Sequence, residues 1–329
     1  MIAAPFQKSR LTLAVLLVVS LPSLGYAQDP APPAQEPGPR IHIGGYIQYD
    51  YLAPLGDEAT TPDTFRFRRV RLIGYGPLTE HIDWSVTVEA TTTPILRDAC
   101  LTLKYLPGAT IRAGQFVMPY GIEQYVFSSN TMAFTERVTT EIIASRDAGV
   151  AVFNERPFFG WLHYAAGIAN GTRQNVNDNN SEKDGMVRLT AAPQALPGFQ
   201  VSINAMKGDQ PDGMRTRTGA DVSFERRLFH VAAEYDQERT GTAPRKRVAY
   251  VFGAWRFYPR NGHAGFHHFE VGTRLARTRQ FVTPINQMEF ATNYYVRENV
   301  RFMFEVIKHT DRTATTPPAT IHARVNFRF

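Results

Sequence analysis

The chain has little with which to stabilise itself covalently or to cross a membrane as a helix. Cys100 is its single cysteine, so no intrachain disulfide can form, and nothing beside Cys100 gives it a reactive context. After residue 21 no apolar run approaches the about 20 residues that a membrane-spanning helix requires. Apolar residues are dispersed among polar ones, which excludes a large soluble core built from continuous hydrophobic segments. No glycine-rich phosphate loop precedes a helical pattern, and a formal charge of +6 over 329 residues is too mild to argue for nucleic acid. Beyond the first 27 residues the lysines are few: Lys104, Lys183, Lys207, Lys246 and Lys308.

What is present begins with an export signal, predicted over residues 1–27: Lys8 and Arg10 precede the apolar run Leu11 to Leu21, and the small residues Gly25 and Ala27 follow. Cleavage after Ala27 lowers the formal charge from +6 to +4 by removing Lys8 and Arg10. Residues 28–40 read as a proline-rich periplasmic linker that cannot join a sheet.

From residue 41 to residue 329 the dominant signal has a period of two. Ile82, Trp84, Val86, Val88 and Ala90 alternate with His81, Asp83, Ser85, Thr87 and Glu89. Phe199, Val201, Ile203 and Ala205 alternate with Gln200, Ser202 and Asn204, and Ile321 through Phe329 repeats the pattern to a terminal aromatic residue. Such segments yield sixteen candidate strands, at 41–51, 64–75, 81–92, 95–105, 109–117, 146–155, 159–168, 185–192, 199–208, 217–226, 228–239, 246–258, 266–279, 287–297, 300–309 and 320–329. Connections after even strands are short (76–80, 106–108, 226–227, 298–299), whereas several after odd strands are long and polar. This predicts an all-β, 16-stranded antiparallel transmembrane barrel of the bacterial outer membrane, with 14 or 18 strands as alternatives and both ends in the periplasm. Closure follows from the cost, several kcal/mol each, of unpaired backbone groups in hydrocarbon. A barrel this wide encloses water. Tyr49, Tyr51, Tyr105, Tyr235, Tyr258 and Tyr294 are candidates for the interfacial girdle.

Two stretches break the pattern. In Phe65-Arg66-Phe67-Arg68-Arg69-Val70-Arg71-Leu72, a register that points Arg66 and Arg68 inward sends Arg69 and Arg71 into lipid, where a midplane arginine costs about 2–4 kcal/mol. Either a bulge near Arg68 and Arg69 turns all four inward, or Arg69 or Arg71 snorkels at an interface. The second stretch, Met118 to Ser145, is too long for a hairpin and carries Pro119, Gly121, Glu123, Arg137 and Glu141. It is expected either to fold into the lumen as a charged constriction or to remain an external loop with a short helix. Acids at polar parity, Asp83, Glu89, Asp98, Glu225, Glu234, Glu270, Glu289 and Glu305, make the lumen mixed in charge, with mild anion preference expected from the arginines.

Residues 64 to 171 resemble the phosphate-selective porin O and P family. The resemblance rests on the arginine segment above, Tyr105-Leu106-Pro107-Gly108, Ile111-Arg112-Ala113-Gly114-Gln115-Phe116, Pro119-Tyr120-Gly121-Ile122-Glu123, Phe134-Thr135-Glu136-Arg137, Arg146-Asp147-Ala148-Gly149-Val150 and Asn170-Gly171. It implies a homotrimeric porin whose third loop, residues 118–145, folds inward and whose arginines guide small anions, phosphate or polyphosphate among them. The residues it marks for anion binding are Arg66, Arg68, Arg69, Arg71, Arg112, Arg137 and Arg146. The partners expected are those solutes together with outer-membrane lipid and lipopolysaccharide, with no nucleic acid and no cofactor.

The competing functions have weaker support. A non-selective general porin fits the mixed lumen. An outer-membrane enzyme needs a base beside a nucleophile, but the nine histidines are scattered, and parity places His81 and His322 among solvated lumen residues. His267 and His268 point to opposite faces of a strand and His263 lies in a turn, a poor metal site. Asn170 to Asp184, the candidate adhesive segment, has the composition of a flexible solvated loop.

Overall fold

The computed structural model describes residues 41–56, 61–127, 132–139, 146–258, 268–279, 285–297, 299–311 and 316–329. The expected export signal and linker, together with Glu141, His263 and His267, lie outside the described residues. The strands are β1 (His42–Leu55), β2 (Thr64–Thr79), β3 (Ile82–Glu89), β4 (Leu96–Leu106), β5 (Ala109–Val117), β6 (Arg146–Asn154), β7 (Leu162–Ala169) and β8 (Asp184–Ala191). They continue as β9 (Phe199–Gly208), β10 (Arg215–Glu225), β11 (Phe229–Thr240), β12 (Lys246–Phe257), β13 (His268–Arg279), β14 (Ile285–Arg297), β15 (Val300–Asp311) and β16 (Ala319–Arg328).

Each strand pairs antiparallel with its chain neighbours, and β1 pairs with β16, so the sixteen strands close. At the seam Gly45 and Phe329 exchange backbone hydrogen bonds of 3.0 and 3.1 Å. A Cβ on Gly45 would meet the Arg71 carbonyl oxygen at 2.2 Å and the Phe329 ring at 2.7 Å, so this crossing requires glycine. Among the described residues no helix is long and apolar enough to cross a membrane.

Alternation sorts the side chains. Phe302, Phe304, Val325 and Phe327 are exposed on the outside, while Glu305, Arg324 and Asn326 between them are buried inside. Outward rings pair across strands, as Tyr49 does with Phe65 (6.0 Å between centroids) and Phe269 with Tyr294 (4.7 Å). Strand ends depart from expectation where a turn takes over. β7 begins at Leu162 rather than 159 because Phe159 and Gly160 adopt positive φ (52° and 76°) in a tight turn. His81 sits in the β2–β3 turn, half exposed and 5.0 Å from the Tyr105 ring, not in the lumen.

The inner face corrects two expectations. His322 is not solvated: it is 1% exposed, with Nε2 2.8 Å from Asp50 and Nδ1 2.8 Å from Thr135 Oγ1. Nor is the inner wall polar throughout. Ala151, Ala165, Ala169, Met186 and Met206 form one apolar patch, and Ala232, Ala254, Ala276 and Ala291 lie in another. Small side chains there leave room for a segment packed against the wall. The polar stretch after β7 is also tied down. Asp147 accepts from the backbone of Gly171 at 2.8 Å, and Asn175 donates its backbone N–H to Gln115 at 2.6 Å and its side-chain amide to the Leu96 carbonyl at 2.7 Å.

Candidate functional site

The β1–β2 ladder answers the arginine question. Gln48 pairs with Arg69 and Tyr49 with Phe67, leaving Arg68 as an extra residue between them. This bulge flips the parity, so Phe65 and Phe67 face outward at 65% and 59% exposure while Arg66, Arg68, Arg69 and Arg71 all reach inner-face partners. A regular strand would have driven two guanidinium groups into hydrocarbon.

Opposite them lies the segment that follows β5. Gly121, at φ 71°, turns the chain into one π-helical turn, Ile122–Val126. Glu234 of β11 accepts from the Ile122 and Glu123 N–H groups at 2.9 and 3.1 Å. Tyr120, Ile122, Tyr125 and Phe134 fill the two apolar patches of the inner wall. Further on, Asn293 donates to the Ala133 carbonyl, Arg301 to Met132 and Arg324 to Thr135, and Glu305 accepts from the Thr135 N–H and hydroxyl. These partners are inner-face residues of β11, β14, β15 and β16, so residues 118–127 and 132–139 lie within the circle of strands.

Two carboxylates of this segment organise the charges. Glu136 accepts from Arg68 Nε and Nη2 at 2.6 and 2.8 Å and from Arg324 Nη2 at 2.8 Å, with Arg69 at 3.8 Å. Burial opposes its ionisation, but the Arg68 hydrogen bond and the charges of Arg324, Arg69 and Arg68 outweigh it, holding the carboxyl well below the usual range. Glu123 is met by Arg274 at 2.8 Å and by Val138 and Thr139 N–H groups and the Thr139 hydroxyl within 3.0 Å. Arg274 also binds Glu289 and stacks 4.5 Å from the Phe134 ring.

Charge is distributed unevenly around the lumen. On the side of β1–β6 and β16, Arg66, Arg68, Arg69 and Arg324 converge, among the described residues, on Asp50 and Glu136, a surplus of positive charge. On the side of β8–β15 arginines meet acids in near balance: Arg188 with Asp221, Arg217 with Glu238, Arg256 with Glu225 and Glu270, Arg274 with Glu289. The acids Glu234 and Asp236 are also buried on that side.

The seven arginines singled out in the sequence fall into two sets. Arg71 and Arg146 are committed to Glu89 (2.8 Å) and Asp98 (2.9 and 3.1 Å), and Arg68 to Glu136. Arg66 is 3.7 Å from Asp50 and 44% exposed. Arg69 bonds neutral Gln48 at 2.7 Å. Arg112 bonds Thr102 at 3.3 Å and lies over the Phe116 and Phe153 rings, while Arg137 bonds, among the described residues, the carbonyls of Glu123 and Phe127 at 2.8 and 2.6 Å. Burial disfavours the charge of Arg137, partly against the pull of Glu123, yet a guanidinium remains charged. Arg274, Arg301 and Arg324 were not singled out, although Arg324 sits on the polar face of the last alternating segment. Glu136 was visible only inside a motif. Among the described residues no cluster of histidine, cysteine or carboxylate side chains could hold a metal ion. His268 lies between the rings of Tyr258 and Tyr295, at 5.0 and 4.0 Å.

Several solved structures share the fold. OmpT of Vibrio cholerae, folded in vitro and in its trimer form, superposes with TM-score 0.60 at 8% identity over 89% of this chain and 100% of its own. The anion-selective porin from Comamonas acidovorans gives 0.58 at 10% identity, with 88% and 99% covered. The outer membrane channel DcaP of Acinetobacter baumannii gives 0.61 at 11% identity, with 90% and 99% covered. No protein of curated function matches. The model of the family described as phosphate-selective porin O and P matches residues 41–265, extending beyond the motifs of residues 64–171 at both ends. A closed barrel of sixteen strands, matched by that model from β1 to the connection after β12, is an outer-membrane porin, and the chain belongs to the phosphate-selective porin O and P family.

Proposed function

We propose that this porin passes small inorganic anions, phosphate and short polyphosphates among them, past an eyelet formed between residues 118–127 and 132–139 and the arginine wall of β1–β6 and β16. The observation that carries the reading is the convergence of four arginines on two acids, Asp50 and Glu136, among the described residues. Arg69, Arg112 and Arg137, whose hydrogen bonds go to neutral groups, are the guanidinium groups with most to gain from a passing oxyanion. Arg66 contributes through its exposure. Arg68, Arg71 and Arg146 act through the field they share with their carboxylates. The chemistry is diffusion through a shaped, charged passage and needs no cofactor.

A homotrimer in outer-membrane lipid and lipopolysaccharide is the proposed working form, supported by the trimer form of the Vibrio cholerae protein that shares the fold. The near balance of charge on the β8–β15 side favours a second reading, a general porin without strong preference. Planar-bilayer recording separates the two. An anion-favouring reversal potential in a potassium chloride gradient, with chloride current reduced by added phosphate or pyrophosphate, is expected. A potential near zero with no effect of phosphate would establish the general pore, and a potassium preference would overturn the anionic reading.

A further inference from the structure

The outer wall carries a feature that conduction does not use. At the loop-side ends of β11, β12 and β13, Arg239, Arg247, Arg277 and Arg279 are exposed on the lipid-facing parity. Arg247 and Arg279 are direct cross-strand partners, so two like charges stand about 5 Å apart at the backbone, an arrangement that is destabilising unless an anion lies between them. Arg277 sits two residues below Arg279 on the same face. None of the four forms a salt bridge among the described residues; Glu238, next to Arg239 in the chain, points inward and is held by Arg217 and Lys246.

Directly below the arginines the wall opens into an apolar groove of about 430 Å³. Val251, Leu275 and Met288 form one continuous cross-strand row along it, and Arg277 overhangs its loop-side end. β1, β2, β6 and β7 present apolar Leu55, Phe65, Phe67, Val150 and Ile168 on the outer wall, and Lys308, exposed on the same face, pairs with Met288 at the far end of the row. Cations above an acyl-sized groove match an amphiphile with an anionic headgroup and hydrocarbon tails. The geometry points to this sector as a binding site for the phosphorylated glycolipid of the outer leaflet, with lipid A phosphates between Arg247, Arg277 and Arg279 and an acyl chain along Val251, Leu275 and Met288. The inference rests on the porin orientation with long loops outside, which sets the arginines at the height of outer-leaflet headgroups.

The test is lipid retention by the full-length protein purified in detergent, measured by native mass spectrometry with bisphosphorylated lipid A, dephosphorylated lipid A and phosphatidylglycerol as probes. Wild-type protein is expected to retain bisphosphorylated lipid A, and Arg247→Gln/Arg279→Gln to retain it roughly tenfold less. Arg226→Gln/Arg227→Gln, at the turn side, is expected to match wild type. Retention of dephosphorylated lipid A or phosphatidylglycerol as strong as that of lipid A, or equal retention by the loop-side variant, would overturn the assignment. Single-channel conductance of the same preparations is expected to be unchanged, so loss of lipid binding and loss of the pore are read separately.

Discussion

Arg324 of the closing strand donates to Glu136 at 2.8 Å while binding Asp50 through two bonds of 2.6 and 2.8 Å. One guanidinium thus ties the inward segment to the first and last strands at once. The seam of the barrel and the charged cluster around Glu136 are one structure.

Glu136→Gln is expected to make the pore more anion-selective. The change removes the carboxylate shared by Arg68, Arg69 and Arg324 and leaves their charge uncompensated. Each lost charge-assisted bond is worth about 1.5–3 kcal/mol, so looser seating of the segment should add current noise without unfolding the barrel. Reversal potential and open-channel noise of the variant check both effects.

The difference between wild type and Glu136→Gln should persist from pH 7 down to about pH 4. A carboxyl held below its usual range in the folded protein contributes stability above the unfolded-state pKa and loses it only as pH falls through the lower folded value. Bilayer recordings of both proteins across this range test the point. If the two converged by pH 5, the arginine cage around Glu136 would not be holding it ionised.

Arg112→Ala and Arg137→Ala are expected to weaken anion preference by up to roughly fivefold each, the effect of about 1 kcal/mol from a unit charge near 4 Å in water. Their present hydrogen bonds go to neutral acceptors, so no carboxylate is orphaned. Arg146→Ala should instead destabilise the fold by about 3–5 kcal/mol, because it strands buried Asp98. Ion selectivity and heat-dependent gel mobility separate the two outcomes.

Deletion of Arg68 is expected to be tolerated, since it is the unpaired residue of the bulge and its loss keeps Phe67 outward and Arg69 inward. Deletion of Val70 should impair folding by moving Arg71 to the lipid face at about 2–4 kcal/mol. The refolding yields of the two single-residue deletions provide the comparison.

The strands were legible in the chain because period-two alternation is local: each segment carries its own inside and outside, and hydrocarbon forbids leaving an edge unpaired. The inward parity of Glu89, Asp98, Glu234, Glu270, Glu289 and Glu305 followed from the same pattern. The arginine run showed that a parity change was needed, but Arg68 and Arg69 read equally well as a bulge or as a snorkelling end. Only the pairing of Gln48 and Tyr49 chose between them.

Partnership across the lumen had no local signature. Glu136 and Arg324 are separated by 188 residues, and nothing in either neighbourhood names the other. The alanines that seat Ile122 and Phe134 look like ordinary strand residues until closure brings β11–β14 around them. Alternation along the chain dictated a closed, two-faced cylinder. Which charges neutralise one another inside it, and which remain for a solute, was decided by the three-dimensional crossing of the loop, because Coulomb and hydrogen-bond energies depend on distance in space and not on position in the chain.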